Sequence, residues 1–207
     1  IDSMEVRRGT HPAEANDGAG LTVPGSYPTV QEAVLMAFNG ESVIIQPGVY
    51  YESINLGAKS IRLAGTIPSD PDTVESTVID ATRQGPVLIL SGDQDKRMVI
   101  EGLTLRGGNA PVGSAIFAQN ALATLSKCVI TDNIAQLGGT VDSLRGNITG
   151  NRFENNQALR GGALANCPGT ISGNIMRGNT TDDDGGAIYR AEGEIHNNTF
   201  EKKNESS

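Results

Sequence analysis

The stretch GGAIYRAEGEIHNNTF, from Gly185 to Phe200, places a glycine pair ahead of three apolar residues, Ile188, Ile195 and Phe200. A similar segment, GGALANCPGTISGNIM, begins 24 residues earlier and runs from Gly161 to Met176. A line repeated at a fixed period of this length indicates a repeat architecture, in which each repeat is one structural unit.

Aligning the chain on its glycines gives three apolar columns in one register. They comprise Ile116, Val141, Leu164 and Ile188; then Leu125, Ile148, Ile171 and Ile195; then Ile130, Phe153, Met176 and Phe200. Two polar columns accompany them, one of Cys128, Asn151, Asn174 and Asn198 and one of Asn133, Asn156 and Asn179. Successive members of a column stand 23 to 25 residues apart.

Each period contains three short apolar segments that lack helical spacing. This pattern predicts an all-β fold in which the chain winds as a single-stranded parallel β-helix with three strands per rung. A rung is one full circuit of the solenoid, and about 7 to 8 rungs are expected. Rungs stack about 4.8 Å apart, so like side chains lie over like. The stacked asparagines should bond to one another, and the glycine pairs fit a sharp entry to a strand.

The first part of the chain predicts a lid for this solenoid. Residues 29–38 have one apolar face, which includes Phe38, and Thr29 and Glu32 have capping-box spacing, so a capping α-helix is expected there. Residues 1–20 are interpreted as a tail, 21–204 as one β-helix domain and 205–207 as a C-terminal tail. Met98 and Leu103 are predicted to belong to the second and third columns.

The overall charge argues against a nucleic-acid partner, because a chain with a net charge of −8 and no basic stripe repels a phosphate backbone. No run of residues reaches the roughly 18 apolar positions that a membrane span requires. The two cysteines, Cys128 and Cys167, fall at different corners and two rungs apart, which exceeds the reach of a disulfide. We therefore expect two free thiols.

A resemblance carries the interpretation further. The run YPTVQEAVLMAFNGESVIIQPGVYYESINLGAKSIRLAGT, from Tyr27 to Thr66, together with the later repeats, resembles right-handed parallel β-helix proteins of the pectin-lyase-like superfamily. The resemblance implies a secreted or cell-surface protein, and it implies a groove along the outer face of the first strand of each rung. That superfamily includes polysaccharide lyases, hydrolases, epimerases and adhesins. The resemblance therefore implies a particular fold but does not imply one particular reaction.

Alternation of strand side chains places Asp142 and Tyr189 on that outer face, and the neighbouring corners add Arg145, Asn166 and Arg190. An aromatic ring beside arginine and amide groups suits a sugar, so these five residues form the predicted substrate-binding strip. The alternative is a face that is merely exposed to solvent, as every solenoid has.

The acidic run Asp182, Asp183 and Asp184 is the predicted metal site, because Ca²⁺ prefers oxygen ligands. This run resembles part of a polygalacturonase motif, although the later motifs of that family and those of pectinesterases are missing from the chain. Catalytic residues are therefore not assigned, and no cofactor other than Ca²⁺ is expected.

Three classes of function follow. The favoured class is a carbohydrate-binding or surface-recognition protein without a catalytic set. The alternatives are a polysaccharide lyase or glycoside hydrolase, with or without Ca²⁺, and a purely structural solenoid. Polysaccharides or cell-surface glycans are the expected partners. The apolar residues of the last rung, Ile188, Ile195 and Phe200, also predict either a homodimer through that end or a longer solenoid.

Overall fold

The computed structural model describes residues 20–92, 98–201 and the backbone of 205–206, and every structural statement below refers to these residues. His11 and most of the predicted N-terminal tail lie outside them. Within this part of the chain there are two helices, α1 (Val30–Met36) and α2 (Pro71–Ser76), and 26 short strands.

The strands of the first half are β1 (Leu21–Val23), β2 (Ser42–Ile45), β3 (Gly48–Tyr50), β4 (Ile54–Gly57), β5 (Arg62–Gly65), β6 (Thr77–Asp80), β7 (Leu88–Leu90), β8 (Met98–Glu101), β9 (Thr104–Arg106), β10 (Asn109–Ala110), β11 (Ile116–Phe117), β12 (Ala123–Ser126) and β13 (Val129–Thr131). Those of the second half are β14 (Ile134–Ala135), β15 (Val141–Asp142), β16 (Ile148–Thr149), β17 (Arg152–Glu154), β18 (Gln157–Ala158), β19 (Leu164–Ala165), β20 (Ile171–Ser172), β21 (Ile175–Arg177), β22 (Thr180–Thr181), β23 (Ile188–Tyr189), β24 (Ile195–His196), β25 (Thr199–Phe200) and β26 (Glu205–Ser206).

These strands form four parallel sheets, which stack as a β-solenoid of about 7 turns. Sheet A runs β1-β2-β5-β8-β12-β16-β20-β24 and sheet B runs β3-β6-β9-β13-β17-β21-β25; sheet C runs β4-β7-β11-β15-β19-β23 and sheet D runs β10-β14-β18-β22-β26. The predicted all-β parallel solenoid is confirmed. The prediction of three strands per rung omitted sheet D, whose strands are only two residues long and contribute a buried column of small residues, Ala110, Ala135, Ala158 and Thr181.

The three predicted apolar columns are confirmed by the strand register. Ile116 pairs with Val141, Leu125 with Ile148 and Ile130 with Phe153, and the later rungs continue each column. The assignment of Met98 and Leu103 to these columns was wrong by two residues. Ile100 pairs with Leu125 and Leu105 with Ile130. A shift of two residues leaves a side chain on the same face, so the apolar pattern does not distinguish the two registers.

Two asparagine ladders line the corners inside the solenoid, as the polar columns predicted. In the first, Asn151 Nδ2 donates to Asn174 Oδ1 at 3.0 Å and to the carbonyl of Leu125 at 2.9 Å. In the second, Asn133 Nδ2 donates to Asn156 Oδ1 at 3.0 Å and Asn156 Nδ2 to Asn179 Oδ1 at 2.9 Å. These bonds satisfy amide groups that have no access to water.

Helix α1 covers the first rung, as expected of a lid. Val30, Ala33 and Val34 are buried in the core, and Thr29 caps the helix by accepting from the amide of Glu32 at 3.1 Å. Lys59 Nζ donates to three carbonyls at the other end, at 2.6 to 2.8 Å. Phe38 is a correction: it lies beyond the end of α1 and is 62% exposed, because the helix stops at Met36.

Helix α2 belongs to an excursion of the chain, residues 66–76, between β5 and β6. Asp70 caps the helix by accepting from the amide of Thr73 at 3.1 Å, and Pro71 occupies its first turn. The excursion packs on the outside of sheet B, where Thr104 Oγ1 donates to the carbonyl of Val74 at 2.9 Å. The corresponding connections between sheets A and B in later rungs are only two residues long.

Candidate functional site

Apart from Arg145, the residues of the predicted substrate-binding strip lie on the outer side of sheet C or directly after its strands, and the glycine pairs determine the shape of this face. Gly113, Gly161 and Gly185 adopt φ values of +62°, +64° and +71°, which side chains disfavour. A Cβ on Gly138 would stand 2.7 Å from an oxygen of Asp142, and one on Gly139 would stand 2.6 Å from Cβ of Ala165. The glycine segments therefore fold closely over the middle of this face.

Asp142 is buried beneath one of these segments, with 3% of its surface exposed. Its carboxylate accepts from the amide of Gly139 at 3.1 Å and from Ser143 Oγ at 2.7 Å. Asn166 Nδ2 also points to it, at 3.3 and 3.4 Å from the two oxygens. The carboxylate of Asp142 thus holds the glycine segment and the next corner in place by hydrogen bonds.

Tyr189 lies two rungs further along the same column and is partly exposed. Two guanidinium groups flank its ring. Arg190 Cζ stands 5.2 Å from the ring centroid and Arg160 Cζ stands 5.6 Å from it. Both distances fall in the range of cation–π attraction, so the ring and the two cations hold one another in position.

Arg160 was not among the predicted site residues. It donates to Asp183 Oδ2 at 2.7 Å, and this hydrogen bond, followed by the charge of Asp183, raises its pKa above the ordinary value. Arg160 and Asp183 stand 23 residues apart, which is the repeat period. The register of the repeats therefore could have predicted that Arg160 and Asp183 lie side by side on adjacent rungs.

The acidic run is attached to the preceding rung by its backbone. The amide of Asp183 donates to the carbonyl of Leu159 at 3.0 Å, and the carbonyl of Asp184 accepts from the amide of Gly161 at 3.2 Å. The side chains of Asp182 and Asp184 are exposed, whereas that of Asp183 is engaged by Arg160. In the described part of the chain no group of three or more His, Cys, Asp or Glu side chains converges in a way that could hold a metal ion.

The five residues of the predicted strip do not meet at one point. Asn166 and Arg190 occupy equivalent corners of adjacent rungs, both with left-handed backbone, at φ values of +54° and +49°. Arg145 lies at the corner before sheet A, where its carbonyl accepts from the amide of Ala123 at 2.7 Å. The structure thus brings Asn166 and Arg190 to the neighbourhood of Tyr189, and it places Asp142 two rungs away, about 10 Å along the axis.

Both cysteines are free, as predicted, and each is 1% exposed. Burial raises the pKa of the Cys128 and Cys167 thiols to about 12. A thiol in this state is not a nucleophile at neutral pH.

The fold and these contacts define the class of the molecule as a parallel β-solenoid with two internal asparagine ladders. Comparison with protein-family models, with curated proteins and with solved structures finds no match to this chain. None of the helices in the described residues is long and apolar enough to cross a membrane.

Proposed function

We propose that the protein is a carbohydrate-binding or surface-recognition solenoid whose glycan contact is centred on Tyr189 and Arg190. The observation that carries this proposal is the tyrosine ring flanked by two guanidinium groups on the outside of sheet C. An exposed aromatic edge offers apolar contact to a pyranose, and guanidinium groups offer fixed, planar donors to hydroxyl or acidic substituents.

Arg190 is the better placed of the two arginines for a ligand. Arg160 is already bonded to Asp183, whereas Arg190 forms no ion pair with any carboxylate among the described residues. The ring of Tyr189 restrains the guanidinium of Arg190, which reduces the entropy that a ligand must remove on binding. The amide of Asn166, on the adjacent rung, extends the same polar edge.

The first test is binding of the whole chain to a broad glycan panel, measured with Ca²⁺ and with a chelator. Once a hit is found, we expect Tyr189→Ala and Arg190→Met each to weaken it about tenfold, which corresponds to about 1.4 kcal/mol. Tyr51→Ala and Arg83→Met are matched controls, because both residues are exposed and lie far from this edge along the chain. Equal binding by all four variants would contradict the proposal.

The same experiment separates the alternatives. Binding that requires Ca²⁺ would support a calcium site at Asp182, Asp183 and Asp184, for which the ion must compete with Arg160. Product analysis of each bound polysaccharide tests the lyase or hydrolase alternative. Binding of no glycan under either condition favours a structural solenoid. A secreted or cell-surface location belongs to the same proposal, because that is where glycans of this kind are met.

A further inference from the structure

The excursion that contains α2 packs tightly against the side of the solenoid. Pro68 packs against Gly102 so closely that a Cβ on that glycine would stand 2.5 Å from two Pro68 atoms. Arg152 Nη1 bonds to Glu75 at 2.7 Å, and Thr104 bonds to the carbonyl of Val74. The excursion is therefore fixed at three separate points along its length, two on sheet B and one at the corner between sheets A and B.

Between these points a cavity of about 310 Å³ remains open under the excursion. One wall of the cavity consists of Pro68, Ser69, Pro71 and Val74. The other wall consists of residues at the corners between sheets A and B and at the starts of the strands that follow them, namely Lys127, Cys128, Val129, Gly150 and Arg152. We call this space the α2 cavity. Its walls are mainly aliphatic, and none of its residues belongs to the edge around Tyr189.

The charges around the α2 cavity are unequal. Arg152 is neutralised by Glu75 and by Glu154, whose oxygen stands 3.0 Å from its Nε. Lys127 is exposed, and within the described residues its ammonium group has neither a hydrogen-bond nor an ion-pair partner. Of the two cations that line the cavity, Lys127 is thus the one without an ion pair, while the excursion itself carries Asp70, Asp72 and Glu75.

The backbone at Lys127 adds to this picture. Lys127 adopts a left-handed conformation, with φ +54°, at a corner that glycine occupies in the rungs before and after it, Gly102 and Gly150. A side chain is disfavoured in that conformation, whereas glycine adopts it freely. A lysine side chain nonetheless stands at this position, directly beside the cavity.

We propose that the α2 cavity binds a small amphipathic carboxylate, with its apolar body between Val74 and Val129 and its carboxylate on Lys127. A cavity of about 150 Å³ accommodates benzene, so this one has room for about ten to twelve non-hydrogen atoms, the size of an aromatic or branched acid. The inference is independent of the glycan proposal, because it rests on other residues at another corner of the solenoid.

The test is a titration of the whole ¹⁵N-labelled chain with phenylacetate, followed by amide chemical shifts. We expect a Kd of about 1 mM, as is usual for a ligand of this size, and shifts that cluster at residues 68–74, 127–129 and 150. 2-Phenylethanol, which keeps the ring and lacks the charge, should bind about tenfold more weakly. Equal binding of the two compounds would overturn the assigned ligand class.

Two variants separate charge from shape. Lys127→Met should weaken phenylacetate about tenfold and leave 2-phenylethanol unchanged, whereas Val129→Phe should fill the cavity and abolish binding of both. Arg83→Met is the control for a general loss of positive charge, and circular dichroism checks that each variant is folded. Unchanged phenylacetate affinity in Lys127→Met, shifts that map elsewhere, or no shifts at about 10 mM ligand would each overturn the proposal.

Discussion

Replacing Asn156 by alanine tests the idea that the asparagine ladders hold the rungs together. Asn156 is fully buried. Its Oδ1 accepts from the amide of Asn133 at 3.2 Å and from Asn133 Nδ2 at 3.0 Å, and its Nδ2 donates to Ile130 O and Asn179 Oδ1, both at 2.9 Å. Alanine removes all four bonds at once, in the middle of the solenoid.

The expected cost follows from these contacts. The buried amide of Asn133 loses its side-chain acceptor, which costs about 1–3 kcal/mol, and the other three bonds contribute about 0.5–1.5 kcal/mol each. A water molecule can occupy the vacated space and recover part of this loss. We therefore expect Asn156→Ala to lower the free energy of unfolding by about 3–5 kcal/mol.

Urea unfolding followed by circular dichroism gives this quantity, and hydrogen exchange shows whether the loss is local or spreads along the rungs. Asn147→Ala is the matched control, because Asn147 is exposed and its side chain makes no bond among the described residues; its effect should stay below about 0.5 kcal/mol. A loss below about 1 kcal/mol for Asn156→Ala, or one equal to the control, would refute the reasoning.

Three further predictions concern the glycines, the thiols and the last rung. Gly161→Ala should cost about 3 kcal/mol of unfolding free energy and Gly150→Ala only about 1 kcal/mol in urea titrations, since both have φ +64° but only the first would overlap backbone atoms. Because burial raises the pKa of Cys128 and Cys167 from 9.0 to about 12, native thiols stay protonated while unfolded ones ionise. The free energy of unfolding should then fall by about 1.4 kcal/mol per thiol for each pH unit between pH 9.0 and about 12, and C128A/C167A should remove that slope. Light scattering at high concentration should show a dimer that Phe200→Glu disrupts, since Phe200 is 55% exposed; a strict monomer contradicts the dimer.

The fold was predictable because stacking makes each rung the template of the next. The apolar columns gave the register of Ile116, Leu125 and Ile130 correctly, and the asparagine columns gave both ladders. The register failed at Met98 and Leu103, where the only signal was alternation, which repeats every two residues. Helix α2 went unpredicted although Asp70 and Pro71 are typical of a helix start, because it contributes one apolar contact and no periodic face.

The candidate site was predictable only in part. Alternation placed Tyr189 on the outer face, but its contact with Arg190 could not be predicted, because neighbours along a strand point to opposite faces and Arg190 lies at a left-handed corner. Alternation also placed Asp142 there, yet the glycine segment that folds over it leaves it 3% exposed. Facing outward from a strand is thus not the same as being open to a ligand, because the path of the preceding loop is not encoded in the strand pattern.

The positions that break the repeat are the informative ones for function. In a solenoid most residues are determined by stacking, so a regular position reports on the fold alone. Lys127 stands on left-handed backbone where the adjacent rungs have glycine, which costs about 1 kcal/mol, whereas Arg190 lies at a corner where Ser143 and Asn166 are left-handed as well. Lys127 makes no ion pair among the described residues that would offset this cost, and Arg190 contacts the ring of Tyr189 instead of a carboxylate. A long cationic side chain without an ion pair beside an open surface is available to a ligand, so Lys127 and Arg190 are the residues on which the two separate binding tests are centred.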